Sequence, residues 1–445
     1  MKNETQNTPH RIVIIGGGAG GLELATKLGD SLGKKRVAEV TLIDTKMTHL
    51  WKPLLHEVAA GTLNSYEDEI SYVSQAYWHH FGFRLGRVDG IDRENQIVTT
   101  EPTLNSAGEE YIPRRHFPYD TLVIAVGSIS NDFAIPGVRE HCHYIDRQHQ
   151  ADLFRQHLIR AYYTAQTQQD ALRAGQLHIA IAGGGATGVE LAAELHHSVH
   201  QLVEYGMDRI VPEEHIKISI VESASRVLQK LPQRLSEQVQ DNLRRVGIDV
   251  ITGERISEAT PDGFKTRSGR FIPAEIKVWA AGIKAPEFLT HIEGLERNSI
   301  NQLLVRTTLQ TTNDEDIFAF GDCAACPMHN SEGFVPPRAQ AAHQQASMLV
   351  KAIKRRLKSE PLPEYRYVDY GSLINMSRYS TVGSLMGNVA RIWASSMFVE
   401  GLFARFVYLS LYKMHQLALH GFLRVALITV ANLLTHKMRA RMKLH

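Results

Sequence analysis

One arrangement of strand, glycine turn and helix occurs twice in this chain, 167 residues apart. The first copy, residues 11–26, reads RIVIIGGGAGGLELAT, and the second, residues 178–193, reads HIAIAGGGATGVELAA. In both copies a short apolar run precedes the glycines, and a stretch rich in Ala, Leu and Glu follows them. Such runs are typical of a buried parallel strand that leads into a helix. Two such units predict two doubly wound α/β domains.

Each copy also carries the spacing G-x-G-x-x-G. The glycines are Gly16, Gly18 and Gly21 in the first copy and Gly183, Gly185 and Gly188 in the second. Glycine in such a loop permits a tight turn, close approach of the backbone to a pyrophosphate, and packing of the helix on the strand. One match alone is a weak signal, but a strand before it, a helix after it and an acid at the end of the next strand strengthen it. Both copies have all three features, so each is predicted to bind a dinucleotide.

An acidic residue ends the strand that follows each glycine loop. Asp44 lies 23 residues after Gly21, and Glu222 lies 34 residues after Gly188, which requires a longer helix or loop than usual. We expect both carboxylates to accept ribose hydroxyls; a solvated strand-end carboxylate is the alternative. Glu222 would repel a 2′-phosphate and so favour NAD over NADP, although Arg226 could soften this preference.

The distribution of charge separates the C-terminal tail from the rest of the chain. Residues 391–445 hold eight Lys or Arg and one acid, a net charge of +7, whereas residues 1–390 hold 41 basic and 46 acidic side chains, a net charge of −5. A basic, apolar tail on an acidic body favours anionic lipid headgroups as a partner and argues against nucleic acid.

Length and cysteine usage narrow the class of protein further. A chain of 445 residues is long enough for two or three domains. Three cysteines cannot form a disulfide framework in such a chain, and the polar start MKNETQNTPH has no apolar signal core. These features predict a cytoplasmic protein, and no metal site is expected.

Seven ordered segments carry a resemblance to a known family. They are Gly16–Gly21 with Asp44, residues 49–58 (HLWKPLLHEV), 121–127 (TLVIAVG), Gly183–Gly188 with Glu222, 279–284 (WAAGIK), 316–322 (DIFAFGD) and 336–344 (PPRAQAAHQ). Together they resemble the flavoprotein pyridine-nucleotide oxidoreductases. The likeness is greatest to the type II, single-subunit NADH:quinone oxidoreductases of bacterial respiratory chains.

The resemblance implies an α/β fold with two doubly wound, Rossmann-like domains of the glutathione-reductase type and a C-terminal amphipathic region that anchors the protein to a membrane. Non-covalent FAD is expected in domain 1–145 and its returning part 286–390, and the substrate NADH in domain 146–285. Residues 391–445 form the predicted membrane-associating tail. The resemblance adds Lys52, Ala125, Gly127, Ala281, Gly282 and Asp322 to the cofactor-binding residues, with the Asp322 carboxylate at a flavin ribityl hydroxyl. A helix N-cap is the alternative for Asp322.

Two pairs of polar residues are the candidates for the chemistry. Glu190 and Glu194 lie one helical turn apart, and the resemblance assigns Glu190 to cofactor binding and Glu194 to the region of nicotinamide and quinone. Gln340 and Gln344, again one turn apart, match the quinone-pocket motif and could hydrogen-bond a quinone carbonyl. His343 between them is a candidate proton donor. Surface or packing roles on polar helix faces are the alternatives.

The tail is predicted to lie on the membrane rather than cross it. Residues 406–434 are largely apolar, but Lys413, His415, His420 and Arg424 leave no uncharged run of about 18 residues, the length needed to span a bilayer. The residues Phe422, Leu423, Ala426, Leu427, Val430, Leu433, Leu434 and Met438 recur at helical spacing, while Val425 and Ile428 depart from the stripe. With the basic end at 437–443 this favours an interfacial helix; a dimer contact or a core helix is the alternative.

Three other functions share the two nucleotide domains. A disulfide reductase is disfavoured because residues 45–70 contain no Cys, and Cys323-Ala-Ala-Cys326 is best explained by small residues at a helix start. A non-enzymatic NADH sensor and a ferredoxin or rubredoxin reductase fit the quinone-type motif and the basic tail less well. We therefore expect NADH oxidation with two-electron reduction of a membrane quinone such as ubiquinone. The reaction would not pump protons and would admit electrons to the respiratory chain at the cytoplasmic face of the bacterial inner membrane. A homodimer is left open.

Overall fold

The computed structural model describes residues 9–105, 107–206, 209–329, 332–377, 380–385 and 397–435. Its principal strands, in chain order, are β1 His10–Ile15, β2 Ala38–Asp44, β3 Gly82–Leu85, β4 Val88–Asp92, β5 Ile97–Thr100, β6 Arg115–Pro118, β7 Thr121–Ile124, β8 His178–Ala182, β9 Lys217–Glu222, β10 Asp249–Thr252, β11 Ile256–Thr260, β12 Gly263–Thr266, β13 Phe271–Pro273, β14 Ile276–Trp279, β15 Gln310–Thr311, β16 Asp314–Ala319, β17 Ser372–Met376, β18 Ser380–Leu385 and β19 Met397–Glu400.

The principal helices are α1 Ala19–Leu28, α2 Leu55–Ala60, α3 Tyr72–Trp78, α4 Gln148–Thr167, α5 Ala186–Glu204, α6 Gln233–Arg245, α7 Ala339–Arg356 and α8 Gly401–Thr435. The chain divides into two compact units. Unit 1 comprises residues 1–51, 69–129 and 284–368, and unit 2 comprises residues 52–68, 130–283 and 369–445.

Unit 1 is centred on a six-stranded sheet in the order β15-β16-β7-β1-β2-β3. All of these strands run parallel except the edge strand β15. The sequence explains the burial of β1, since Ile12, Val13 and Ile14 leave no polar side chain on either face. Helices α1 and α7 pack on each other in this unit. Parallel strands bring their carboxyl ends to one edge, so the first glycine loop, Asp44 and the turn after β16 meet there.

Unit 2 contains a four-stranded parallel sheet in the order β10-β9-β8-β14. Its nucleotide helix α5 has 19 residues, against 10 for α1, and a further turn at Pro212–His215 precedes β9. These additions account for the longer spacing between Gly188 and Glu222. Two doubly wound domains are thus confirmed.

The C-terminal part of unit 2 adds a three-stranded antiparallel sheet, β17-β18-β19, on which α8 packs. Gly421 interrupts α8 with a φ of +73°. Among the described residues, no helix is both long and apolar enough to cross a membrane.

Candidate active site

The three glycines of the first motif, in the loop between β1 and α1, differ in how much space surrounds them. Gly16 has a φ of +98°, and a Cβ there would lie 2.5 Å from the carbonyl oxygen of Ala125. A Cβ on Gly21 would lie 1.9 Å from the carbonyl oxygen of Gly16, so only glycine allows α1 to pack this close to the end of β1. A Cβ on Gly18 would meet no atom within 4 Å. Gly18 therefore borders open space at the N-terminus of α1, where a phosphate group fits.

Asp44, at the end of β2, anchors this loop. Its carboxylate accepts hydrogen bonds from the backbone N–H groups of Gly17 (2.7 Å) and Lys46 (2.9 Å). Burial raises the pKa of Asp44, and these hydrogen bonds oppose the shift. The Gly17 carbonyl oxygen accepts from the Tyr72 hydroxyl at 2.7 Å and lies 2.9 Å from Nδ1 of His49. Because a carboxylate can accept about four hydrogen bonds, Asp44 can hold the loop and also accept a ribose hydroxyl.

The second loop, between β8 and α5, repeats this geometry in unit 2. Gly183 has a φ of +107° and faces the carbonyl of Ala280, and a Cβ on Gly188 would lie 2.0 Å from the Gly183 carbonyl oxygen. A Cβ on Gly185 would meet nothing within 4 Å. The open middle glycine again lies at a helix N-terminus, as binding of a second pyrophosphate requires.

Glu222 takes the position in the second loop that Asp44 takes in the first. Its carboxylate accepts from the N–H groups of Gly184 (2.7 Å) and Ala224 (2.8 Å). Arg226, which could have weakened the preference against a 2′-phosphate, donates instead to the carbonyl oxygens of Gln229 and Leu231. The guanidinium is thus engaged by the backbone of its own loop.

Asp322 follows β16 in a 3-10 turn, Gly321–Cys323, and does not cap a helix. Its carboxylate accepts a hydrogen bond from the Ser128 hydroxyl at 2.8 Å. Ala125 and Gly127, the latter with a φ of +67°, lie in the turn after β7. These residues belong to unit 1, the unit in which the sequence predicts FAD. Sequence reasoning missed Ser128, although it directly follows the predicted turn TLVIAVG.

The corresponding turn of unit 2 follows β14. Gly282 has a φ of +64°, and a Cβ there would lie 2.4 Å from the Phe133 ring, while Ala281 is half-buried. Trp279 fixes the turn by donating its indole N–H to the Asn131 carbonyl oxygen at 2.8 Å. Ala281 and Gly282 therefore lie in a constrained turn of the nucleotide unit.

Helix α7 carries the candidate quinone residues. Gln344 pairs with the backbone of Val368: its amide N donates to the Val368 carbonyl at 2.8 Å, and its amide O accepts from the Val368 N–H at 3.0 Å. Gln340 is half-buried in the first turn of α7. The next residue along, Gln345, is buried and accepts from the N–H of Gly321 at 2.8 Å. Sequence reasoning did not single out Gln345, because the helical pattern does not show which face meets the turn after β16.

Nδ1 of His343 lies within hydrogen-bond distance of the buried carboxylate of Glu23 on α1, and Lys27 forms an ion pair with the same carboxylate. Burial would raise the pKa of Glu23, but the hydrogen bonds and charges of His343 and Lys27 outweigh it and lower that pKa. The imidazole therefore joins α1 to α7. Its candidate role as a proton donor stays a prediction.

Glu190 and Glu194 are both buried on α5. The Glu190 carboxylate accepts from the N–H of Asn375 at 3.0 Å, and its other oxygen lies 3.9 Å from Nδ1 of His56 on α2. Burial, reinforced by the charge of Glu194, raises the pKa of Glu190 to about 8. A surface location for this pair is therefore excluded. Lys52, by contrast, is exposed at the start of the 3-10 turn Lys52–Leu54.

The two halves of α8 expose a broad apolar surface. The exposed residues are Met414, Leu417, Phe422, Leu423, Leu427 and Val430, and Phe422 and Leu423 are 79% and 73% exposed. Val425 is buried, which explains why it departs from the predicted exposed stripe. The predicted basic end at 437–443 lies outside the described residues.

The cysteines do not form a reactive pair. Cys323 and Cys326 are both buried free thiols, and burial raises the pKa of each to about 12. A two-residue strand, Ala324–Ala325, separates them, so the small residues do not start a helix as expected. No group of three or more potential metal ligands occurs among the described residues.

Comparison with known proteins places this geometry in a family. The family model for pyridine nucleotide-disulphide oxidoreductases matches residues 10–346. A type II NADH:quinone oxidoreductase of Haemophilus influenzae is 42% identical over 446 residues, covering 98% of this chain and 99% of the relative. A type II NADH:quinone oxidoreductase of Staphylococcus aureus is 29% identical over 85% of this chain and 90% of the relative.

The fold has a close structural counterpart as well. The solved structure of NDH2 from Plasmodium falciparum in complex with NADH superposes with a TM-score of 0.80 over 98% of this chain and all of that one, at 19% identity. The chain is thus an oxidoreductase of the pyridine nucleotide-disulphide oxidoreductase class. Within that class it belongs to the type II NADH:quinone oxidoreductase family.

Proposed function

We propose that the protein uses non-covalent FAD to oxidise NADH and to reduce a membrane quinone to quinol. The observation that carries the proposal is the doubled nucleotide loop. In each unit the first and third glycines are required by the packing, whereas the second, Gly18 or Gly185, borders open space at a helix N-terminus beside an acid that anchors the loop.

The residues of unit 1 fit FAD. Gly18 leaves room for the pyrophosphate, Asp44 would accept a ribose hydroxyl, and Asp322, fixed by Ser128, would accept a ribityl hydroxyl. When bound, the flavin supplies the two-electron chemistry, while the protein binds and orients it. The small turn at Ala125 and Gly127 would let it approach the backbone.

Unit 2 fits NADH. Gly185 leaves room for the pyrophosphate, and the half-exposed Glu222 would accept the ribose hydroxyls. Because its charge opposes a 2′-phosphate and Arg226 is engaged elsewhere, NADH should be preferred to NADPH. Ala281 and Gly282 would approach the nicotinamide, as the family resemblance implies.

For the quinone, Gln340 is the proposed contact, and Glu194 keeps its proposed catalytic role in unit 2. Gln344 has both amide atoms paired with Val368, so we propose that it positions the segment before β17 and acts on the quinone through it. Lys52 retains its proposed role at the cofactor. The predicted absence of proton pumping, the particular quinone and a homodimer stay predictions.

The exposed apolar residues of α8 support attachment to a lipid surface. A fully buried Leu or Phe gains about 1.5–3 kcal/mol on leaving water, so insertion of Phe422, Leu423 and Leu427 would hold the protein at an interface. The exposed apolar surface of α8 and the basic tail together suit a peripheral protein on the cytoplasmic face of the bacterial inner membrane, where anionic lipid is available.

Two assays test the proposal. The purified, FAD-loaded protein should oxidise NADH with a short-chain ubiquinone analogue, and NADPH should be much slower. The double variant Leu423→Asp with Leu427→Asp should keep this activity in solution but lose flotation with anionic vesicles, whereas Phe271→Asp, also at an exposed apolar residue, should float normally. Failure of the wild-type protein to use quinone would overturn the proposed activity, and flotation of the double variant would overturn the role of α8.

A further inference from the structure

Unit 2 buries a histidine for which the nucleotide and quinone motifs give no role. His56 lies on α2, which packs against α4 and α5, and only 3% of the residue is exposed. Its Nε2 atom is buried and has no hydrogen-bond partner. Burial lowers the pKa of His56 to about 4, although a hydrogen bond to the Pro53 carbonyl opposes the shift. A buried polar atom left without a hydrogen-bond partner destabilises the folded protein, so its retention calls for an explanation.

The two ring nitrogens of His56 face two different carboxyl groups. Nδ1 lies 3.9 Å from Oε2 of Glu190, and Nε2 lies 3.9 Å from Oε1 of Glu57. Both separations exceed a hydrogen bond, but a shift of about 1 Å in a side chain would close either of them. An imidazole with a carboxyl group near each nitrogen can take a proton on one side and release it on the other.

The two carboxyl groups differ in access to water. The Glu190 side chain is 11% exposed, while the Glu57 side chain is 21% exposed. Glu57 is also near enough to Tyr412 of α8 to raise the pKa of its phenol, whose hydroxyl donates to Asp68 at 3.1 Å. The three groups thus run from a partly exposed carboxylate to a buried carboxyl.

The protonation states of Glu190 and His56 suit proton transfer from Glu57 through His56 to Glu190. With its pKa raised to about 8, chiefly by burial, Glu190 carries a proton near pH 7, and His56 is neutral there. Other titratable groups that the surrounding elements bury or half-bury are Glu194, His196, His197 and His200 on α5, Asp152, Arg155, His157 and Tyr162 on α4, and Tyr412, Lys413 and His415 on α8. Of these, Glu194 reinforces the raised pKa of Glu190 through like-charge repulsion.

We propose that Glu57, His56 and Glu190 form a proton path that supplies quinol formation with the proton it takes from water. The inference rests on the proposed quinone reductase activity. NADH and quinone give NAD⁺ and quinol only if one proton is added, because the transferred hydride carries two electrons and one proton. Glu190 gives its proton to the quinone as quinol forms, and the Glu190 carboxylate then takes the Nδ1 proton of His56 while Nε2 takes a proton from Glu57. Glu57 regains its proton from water. His56 acts through Glu190 and needs no contact with the quinone.

The two half-reactions separate this role from a structural one. Reduction of the bound flavin by NADH is a hydride transfer, whereas its reoxidation by quinone consumes the proton. His56→Gln should leave the first rate within about twofold and slow the second by roughly 10- to 100-fold, since a positioned proton donor contributes about 100-fold or more. The solvent deuterium isotope effect on reoxidation should grow, and added imidazole should restore part of the rate.

Further variants keep the test independent of folding. His178→Gln removes an equally buried histidine of unit 2 that is paired with Ser219 at 2.8 Å, and it should change neither half-reaction selectively. Glu57→Gln, at a partly exposed position, should reproduce the slow reoxidation if His56→Gln does not fold. Without any substrate, the wild-type protein at pH 7 should show an infrared band of a protonated carboxyl that is absent from Glu190→Gln.

Different failures point to different errors. If NADH bleaches the flavin of the wild-type protein but quinone does not reoxidise it, both the proposed function and the proton path are overturned. Normal reoxidation in His56→Gln or Glu57→Gln, equal slowing of both half-reactions, or absence of the carboxyl band would overturn the path alone.

Discussion

Replacement of Glu222 by Gln should change which nicotinamide nucleotide the protein uses. The carboxylate now accepts from Gly184 at 2.7 Å and from Ala224 at 2.8 Å, and it is proposed to accept ribose hydroxyls as well. Gln presents one acceptor and one donor, so one backbone N–H loses its partner. It also removes the negative charge that a 2′-phosphate would meet.

The size of the effect follows from the charge and its exposure. Two unit charges 4 Å apart repel by about 1 kcal/mol in water and about 4 kcal/mol at an effective dielectric constant of 20. Since Glu222 is half-exposed, we expect a value near the lower limit, about 1–2 kcal/mol. That corresponds to roughly a 5- to 30-fold change in an equilibrium constant.

The assay is the ratio of kcat/KM for NADH to that for NADPH with a short-chain ubiquinone. In Glu222→Gln this ratio should fall by roughly 5- to 30-fold, with flavin content unchanged because Glu222 lies in unit 2. Asp44→Asn is the matched control in unit 1 and should reduce flavin retention without altering the ratio. An unchanged ratio in Glu222→Gln, or a change in Asp44→Asn, would refute the assignment of the two loops.

Three further predictions test other parts of the structure. Gly18→Ala should fold and bind FAD at least tenfold more weakly, judged by flavin release, whereas Gly21→Ala, whose Cβ would lie 1.9 Å from a carbonyl oxygen, should fail to give folded protein by circular dichroism. Glu23→Gln should lower the free energy of unfolding by about 1–3 kcal/mol at pH 7. Because ion pairing depresses the pKa of Glu23 in the folded protein, that difference should shrink in denaturant titrations as the pH falls below the usual value of 4.5. Cys323→Ala should retain NADH oxidation, and in the unsubstituted protein Cys323 should resist thiol reagents, since burial keeps its thiol protonated with a pKa of about 12.

The glycine loops were predictable because their chemistry is local. The strands before Gly16 and Gly183, the helices after them and the acids at Asp44 and Glu222 all follow from patterns within a few dozen residues. The structure adds that each acid also binds the backbone of its own loop. That contact depends on the geometry of the turn, which spacing alone does not determine.

The features that the sequence did not predict depend on how helices dock. Helical spacing placed Gln340 and Gln344 on one face. The packing of α7 instead directs Gln345 to the turn after β16, and Gln344 hydrogen-bonds the backbone of Val368. His56 and Glu190 are 134 residues apart, and no local pattern links them. Val425 departs from the exposed apolar stripe because its side chain is buried in the fold.

Stopped-flow absorbance can show whether one bound flavin passes electrons from NADH to quinone. NADH added without oxygen should bleach the flavin of the purified protein, and a short-chain ubiquinone mixed in next should restore the oxidised spectrum at least as fast as steady-state turnover. If the protein binds no flavin, or if quinone does not reoxidise the bleached flavin, electron transfer through the flavin is contradicted.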